Sequence, residues 1–214
     1  TEIWDLDSNM FLRPEEVKKL VDLEPEGNRF VRLLERENGE KTFLRVFDDN
    51  KRLPSEAEIS IALKGLVATT MPKVGFLVGH GERDSKQDGD RNYNRFAQDK
   101  PFRYSLINQG FDVVDVKLSR NPQLLDSLDV LVVSEPREPF SEEELDKLYR
   151  YVESGKNLII AGKPRTNSYL APLMKKLGLR FEPGILVQKQ DQIADKNTAS
   201  MPSARGAGGG PGAL

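Results

Sequence analysis

The 214-residue chain contains no cysteine, a single histidine and no long apolar run. Without cysteine it has no disulfide, no cysteine-ligated zinc site and no thiol nucleophile. Because His80 is the only histidine, a Ser-His-Asp triad or a histidine-ligated metal would have to use this residue. No apolar segment approaches the roughly 20 residues that a membrane-spanning helix needs.

The chain also lacks a large net charge. Its 32 basic and 34 acidic residues give a formal charge of −2, which does not favour nucleic acid as a partner. The first residue is Thr1, and no charged-then-apolar leader follows it. We therefore expect an excised soluble piece or a mature form, whose membrane anchor lies outside this sequence.

Residues 1–70 are predicted to form an N-terminal α+β segment. Pro14 opens a short helix, as proline often does at a first helical position. Apolar stretches on both sides of Asn38-Gly39 predict two antiparallel strands joined by a type I′ turn. Ser55 and Glu58 have the spacing of a capping box, so a second helix is expected to lead from the hairpin into the main sheet.

Residues 71–190 are predicted to form an α/β domain with a doubly wound parallel sheet. Four apolar runs, which are predicted strands, alternate with helical patterns; the runs are 74–78, 111–118, 129–133 and 157–161. One of the predicted helices lies near 99–109. Apolar strands that alternate with helices are typical of a parallel sheet covered on both faces. Right-handed crossovers favour a flavodoxin-like strand order of 2-1-3-4. We expect Leu77, Val132 and Ile159 to be buried.

Two further segments are polar. Residues 191–214 are rich in glycine towards their end, and we predict a polar tail without a core of its own. The loop from Glu82 to Arg103 carries five acidic and six basic residues, which is typical of a solvated surface. The alternative is a mobile lid over the strand ends, with Tyr93 and Phe96 as contact residues.

The predicted strands end in polar residues that would meet at one edge of the sheet. In an open parallel sheet, ligands bind outside the carboxyl ends of the strands. The sequence therefore predicts a ligand-binding site formed by Gly79, His80, Gly81, Glu82, Glu135, Lys163 and Arg165. The alternative interpretation is that the two glycines only make a tight turn and that His80 caps a neighbouring carbonyl.

Signatures of known enzyme classes are missing from the sequence. Gly162-Lys163 is not a phosphate loop, because Pro164 stands where Ser or Thr would bind magnesium. Neither a nucleophile elbow nor a dinucleotide fingerprint occurs. We therefore expect no catalytic residue set, no metal and no cofactor. The alternative is a hydrolase or transferase that acts on a carbohydrate or amide substrate through His80 and Glu82.

The stretch PKVGFLVGHGE at 72–82 resembles the strand end of GldG-like auxiliary components of bacterial ABC transporters. That family was first associated with gliding motility. The resemblance extends over residues 40–190 and includes LDVLVVSEP at 128–136, FSEEEL at 140–145 and YVESGKNLII at 151–160. It implies a fold similar to class I glutamine amidotransferases. Amidotransferase activity is not implied, because the chain lacks the cysteine nucleophile.

The same resemblance implies a membrane-associated transport complex. Its expected partners are the ATPase and permease subunits, and the domain would lie on the periplasmic or extracytoplasmic side of the cell membrane. The leading hypothesis is therefore a non-catalytic binding or scaffolding domain that recognises a carbohydrate or peptide ligand, or a partner protein.

Overall fold

Helices and strands alternate along the described part of the chain, which is residues 7, 10–51, 53–68, 70–119, 122–163 and 167–182 of a computed structural model. The helices are α1 (Pro14–Leu20), α2 (Glu56–Val67), α3 (Asn94–Ala97), α4 (Pro122–Asp126), α5 (Glu142–Glu153) and α6 (Asn167–Lys176). The strands are β1 (Val31–Glu35), β2 (Lys41–Arg45), β3 (Lys73–Leu77), β4 (Asp112–Val116), β5 (Val130–Ser134) and β6 (Asn157–Ala161).

Strands β3 to β6 form a four-stranded sheet in which every pairing is parallel. The spatial order is β4-β3-β5-β6, so the predicted order 2-1-3-4 is confirmed. Successive side chains of a strand point to opposite faces, and each face has its own core. On β3, Leu77 belongs to one core and Phe76 to the other.

The larger core lies between the sheet and helices α4, α5 and α6. Helix α5 begins with a capping box in which Ser141 and Glu144 satisfy each other's main-chain N–H groups. It buries Leu145, Leu148 and Tyr151. On the sheet, Gly75 permits close packing, since a Cβ atom there would lie 2.5 Å from a methyl group of Leu128.

The opposite face is covered by the segment that follows β3, where a long helix was predicted over 99–109. That prediction was wrong, because the segment contains only α3 and a 3-10 turn at Leu106–Gln109. Instead, the Asn108 side-chain amide donates to the carbonyls of Asp99, Lys100 and Phe102 at 3.3, 2.9 and 2.8 Å.

Burial along the sheet departs from the prediction at one strand. Leu77 and Val132 are buried as expected, but Ile159 is 53% exposed, so its predicted burial was wrong. Ile159 pairs with Val132 and therefore shares its face of the sheet. Strand β6 ends the strand order, so Ile159 has a neighbouring strand on one side only in the part of the sheet that is described.

Strands β1 and β2 form the antiparallel hairpin that the sequence predicted, with Leu33 opposite Phe43. The predicted type I′ turn was wrong. Gly39 has a φ of +87°, whereas Asn38 is not among the described residues with positive φ. The Gly39 N–H donates to the Arg36 carbonyl at 2.8 Å, which fits a type I turn followed by a glycine bulge. The Asn38 side chain accepts from the Glu40 N–H at 3.1 Å and favours this alternative.

A buried arginine connects α2 with the chain around it. Arg103 is ion-paired with Glu58 of α2, and two of its nitrogens bind Asp49 at 2.6 and 2.9 Å. Glu58 also accepts the Ser55 N–H at 3.0 Å, which completes the predicted capping box. The Glu58 carboxylate therefore both caps the start of α2 and neutralises the buried Arg103 guanidinium.

Candidate ligand site at the carboxyl edge of the sheet

The loops that follow β3 and β5 are connected by main-chain hydrogen bonds. The Arg137 N–H donates to the His80 carbonyl at 2.7 Å, and the Arg83 N–H donates to the Ser134 carbonyl at 3.1 Å. These bonds prolong the pairing of the two strands beyond the sheet. The polar side chains of both loops are thereby held at one edge.

The His80 side chain lies between two carboxylates. Its Nδ1 is 3.1 Å from Glu82 Oε1, and its Nε2 is 3.2 Å from Glu144 Oε2. The main-chain N–H of His80 also donates to Glu82 Oε2 at 2.7 Å. Each ring nitrogen therefore faces one carboxylate oxygen, and one side chain contacts both the loop after β3 and the start of α5.

The surroundings of His80 leave little of it accessible. Its ring packs on Phe140 with 4.5 Å between the ring centroids, and the Glu82 side chain is only 1% exposed. Burial alone would raise the pKa of Glu144, but hydrogen bonds from Ser141 and His80 hold that pKa below its ordinary value. A general base needs a ring nitrogen within reach of its substrate. Both nitrogens are engaged here, which favours a clamp between the β3 loop and α5.

The second polar group surrounds Glu135, the residue that follows β5. Arg83 Nη2 lies 2.9 Å from Glu135 Oε1, while Lys163 Nζ and Arg91 Nη1 lie 3.1 and 3.6 Å from Oε2. Burial alone would raise the pKa of Glu135, but Arg83 and Lys163 hold that pKa below its ordinary value. Glu135 has a φ of +48°, which lies in the left-handed region that residues other than glycine rarely adopt.

Arg137 joins this group beside Gly81. The Arg91 guanidinium donates to the Gly81 carbonyl at 3.0 Å. A Cβ atom at Gly81 would approach the Arg137 Cβ to 3.1 Å, and Gly81 has a φ of +69°, so both the close contact and the left-handed backbone favour glycine. Burial lowers the pKa of Arg91, and the nearby charges of Arg137 and Arg83 lower it further. We call Arg83, Arg91, Glu135, Arg137 and Lys163 the Glu135 cluster.

A small cleft opens beside the His80 loop. It has a volume of about 270 Å³ and is lined by Val78, Gly79, His80, Lys117, Leu118, Ser119 and Glu144. Gly79 has a φ of +132° and no neighbouring atom within 4 Å of a Cβ position. The cleft is smaller than the roughly 300–1,000 Å³ of common small-molecule pockets. It therefore has room for a small group rather than for a large substrate.

The structure brings most of the predicted site residues to this edge. Gly79, His80, Gly81 and Glu82 lie after β3, Glu135 after β5 and Lys163 after β6, while Arg165 lies outside the described residues. The side chains fall into two groups, with His80 and Glu82 in one and Glu135 and Lys163 in the other.

Three residues of this edge were not predicted, namely Arg83, Arg91 and Glu144. Arg83 and Arg91 belong to the loop that was interpreted as a solvated surface, although both pair with Glu135. The alternating charges of that loop were the available signal, but they do not reveal a partner on another strand. Glu144 lies in the stretch FSEEEL at 140–145, and nothing in that stretch indicates His80 as its partner.

The loop between β3 and β4 also contains the two aromatic residues that the lid interpretation named. The Tyr93 hydroxyl lies 2.8 Å from Ser134 Oγ, and its ring packs near Phe76 of the sheet. Phe96 is 53% exposed. Tyr93 therefore belongs to the cover of the sheet, and Phe96 remains available for contact.

Among the described residues, no group of three or more histidine, aspartate or glutamate side chains could hold a metal ion. None of the helices described is both long enough and apolar enough to cross a bilayer.

Residues 71–212 match a protein family described as an ABC-type uncharacterized transport system. The chain belongs to this family. The matched region contains the whole parallel sheet with its carboxyl edge and begins after the hairpin and α2. Membership identifies the chain as an auxiliary component of ABC-type transport. No curated protein and no solved structure matches the chain.

Proposed function

We propose that this chain is a non-catalytic binding or scaffolding domain of an ABC-type transport complex. The observation that carries the proposal is the family match over residues 71–212, which includes every strand of the parallel sheet. In this role the domain works with the ATPase and permease subunits of the transporter. The stretch GHGE at 79–82 supports the narrower assignment to the GldG-like, gliding-motility-associated type.

The proposed location is the extracytoplasmic face of the cell membrane, with the anchoring segment outside this sequence. The resemblance to GldG-like components supports this location. A reporter enzyme that is active only outside the cytoplasm, fused to the native full-length protein, tests it. Activity of the reporter is expected, and activity of a cytoplasm-specific reporter in its place would contradict the location.

The ligand site of the proposed domain is the carboxyl edge of the sheet. It comprises Gly79, His80, Gly81, Glu82, Glu135, Lys163 and Arg165, and its ligand is a carbohydrate or a peptide. The convergence of the β3 and β5 loops supports this assignment, because main-chain bonds hold their polar groups in fixed positions. The cleft beside His80 offers space at the same edge.

The environment of His80 supports a non-catalytic role over the alternative of a hydrolase or transferase. Both ring nitrogens contact carboxylate oxygens, and the Glu82 carboxylate is buried. An acid–base pair would need one of these groups directed at a substrate in a concave pocket. The arrangement instead joins the β3 loop to helix α5.

Co-purification from native membranes tests the transport role. The full-length protein is tagged, extracted in a mild detergent and examined for transporter subunits, with a tagged membrane protein of unrelated function as the control. We expect the ATPase and permease to co-purify with this protein and not with the control. Recovery without either subunit, under conditions that keep the ATPase–permease complex intact, would contradict the proposal.

A turnover assay tests the catalytic alternative. The purified chain is screened against esters, glycosides and amides, and the His80→Ala variant is measured in parallel. We expect no turnover by either form. Turnover that disappears in the variant would support an enzyme, since general acid–base catalysis contributes roughly 10²–10⁴-fold to a rate.

A further inference from the structure

Positive charge exceeds negative charge in the Glu135 cluster. Arg83, Arg91 and Lys163 pair with the one carboxylate, and Arg137 lies beside Arg91 at Gly81. These four cations and Glu135 carry a formal charge of +3. We propose that Arg91, Arg137 and Lys163 bind a phosphate-type oxyanion at this edge. The inference specifies the ligand chemistry of the proposed site and therefore rests on the proposed function.

The cations of the cluster differ in how far they reach solvent. The Arg83 side chain is only 11% exposed and lies 2.9 Å from Glu135 Oε1, so it serves as the internal partner of that carboxylate. The side chains of Arg91 and Lys163 are 35% and 55% exposed, and Arg137 is exposed. The three outer cations can therefore meet a ligand from solvent while Arg83 keeps Glu135 in place.

The Arg91 guanidinium keeps donors that suit an oxyanion. It has five N–H groups, of which one donates to the Gly81 carbonyl and one is directed, at 3.6 Å, towards Glu135. Planar guanidinium groups bind phosphate oxygens in pairs, and a lysine adds a compact positive charge. A dianion would neutralise more of the residual charge than a single carboxylate.

The backbone at Glu135 is a second observation at this position. Its φ of +48° is unusual for a residue with a side chain, and such conformations concentrate at functional sites. The carboxylate that follows this turn is the counter-charge of Arg83, Arg91 and Lys163, and it neutralises them only in part. An incoming oxyanion would take over part of this neutralising role.

Titration with inorganic phosphate tests the inference on the full chain. The thermal unfolding midpoint is followed against sodium phosphate, with sodium chloride at the same ionic strength as the reference. We expect a saturable rise with phosphate and with sulfate. Arg91→Gln and Arg137→Gln should each weaken binding by roughly tenfold or more, as expected for a charge-assisted hydrogen bond. Arg36→Gln, at an exposed pair with Glu40 in the hairpin turn, is the matched control and should bind like the wild type.

The Glu135→Gln variant distinguishes two roles of the outer cations, which either bind a ligand or only neutralise Glu135. It keeps the side-chain volume and removes the internal counter-charge, so phosphate should bind several-fold more tightly if the outer cations form the site. Weaker or unchanged binding would overturn the inference. Should that variant not fold, the exposed Arg137→Gln still decides, because equal phosphate affinity in Arg137→Gln and wild type would overturn it as well.

Two further pairs of probes identify what carries the oxyanion. Glucose 6-phosphate is compared with glucose, and vesicles of phosphatidylglycerol with vesicles of phosphatidylcholine. Binding of free phosphate, the sugar phosphate or the anionic vesicles, weakened by Arg137→Gln, supports the inference and names the source. No binding of any of them overturns it, while co-purification with transporter subunits would still support the proposed function.

Discussion

The Nε2 atom of His80 lies 3.2 Å from the Oε2 atom of Glu144, which connects the loop after β3 with the first turn of α5. The two residues are 64 positions apart in the sequence. Glu144 also accepts the Ser141 N–H at 2.9 Å, so the same carboxylate caps the helix. The stability of the helix start and the position of the candidate site therefore depend on each other.

Replacement of His80 by alanine should destabilise the protein near pH 7. The change removes hydrogen bonds to the carboxylates of Glu82 and Glu144, and each bond to a charged group contributes about 1.5–3 kcal/mol. We expect a loss of this size in urea unfolding. A double-mutant cycle with Glu144→Gln should give a coupling energy of at least about 0.5 kcal/mol. An unchanged free energy of unfolding would show that the ring is not part of a clamp.

Acid should weaken the contact between Asp49 and the buried Arg103. The Arg103 guanidinium holds the pKa of Asp49 at about 2, below its ordinary value of 3.8. The unfolded chain therefore takes up this proton at a higher pH than the folded chain does. The stabilisation is complete above pH 3.8 and is lost as the pH falls towards about 2.

The Asp49→Asn variant measures this dependence. Thermal midpoints recorded between about pH 4.5 and pH 2 should fall less steeply for the variant than for the wild type. Asp48→Asn is the matched control, because Asp48 pairs with Arg29 instead. Equal slopes for Asp49→Asn and wild type would contradict a role for the Arg103 contact in acid stability.

Gly39→Val tests the turn of the N-terminal hairpin. Gly39 has a φ of +87°, and no atom lies within 4 Å of a Cβ position there. Any cost therefore comes from the backbone, and a left-handed conformation costs about 1–2 kcal/mol for a residue with a side chain. Gly39→Asn should lose clearly less stability than Gly39→Val, since asparagine tolerates positive φ. Equal thermal midpoints for the two variants would exclude this explanation.

The exposure of Ile159 lowers the loss of folding stability expected when this side chain is replaced by alanine. Ile159 is 53% exposed, whereas Leu131 of the inner strand β5 is fully buried. Leu131→Ala should cost about 2–5 kcal/mol, as other large-to-small core substitutions do. Ile159→Ala should cost less than about 1 kcal/mol because little apolar surface is lost from the core. Similar losses in denaturant melts would show that Ile159 is covered.

The strand order and the helix starts could be predicted because their signals are local. Apolar runs mark β3 to β6, and the spacing of Ser55 and Glu58 marks the start of α2. The hairpin was visible in the same way, although its turn type was not. The Asn38 side chain accepts a hydrogen bond from the Glu40 N–H and so stabilises a different turn. The Asn-Gly dipeptide alone does not show which of the two turns forms.

The partners of the site residues could not be predicted, since they come from distant parts of the chain. Glu135 was predicted to lie at the strand edge, but nothing near it in the sequence indicates that Arg83 and Arg91 approach it. The predicted burial of Ile159 was wrong for a related reason. The sequence of an apolar strand is the same whether one or both of its faces are buried. Burial of the second face depends on which segments pack against it in the tertiary fold.

Gly81→Ala should disturb the Glu135 cluster through Arg137. The new Cβ atom would lie 3.1 Å from the Arg137 Cβ, an atom close to the main chain that cannot move as freely as a side-chain end. The φ of +69° adds the cost of a left-handed alanine, about 1–2 kcal/mol. Gly178→Ala is the matched control, because Gly178 has a similar φ of +72° but has no atom within 4 Å of a Cβ position. Gly81→Ala should therefore lower the free energy of unfolding by more than Gly178→Ala does. Equal losses in urea unfolding would show that Arg137 yields to the added methyl group and that the close packing at Gly81 does not position this arginine.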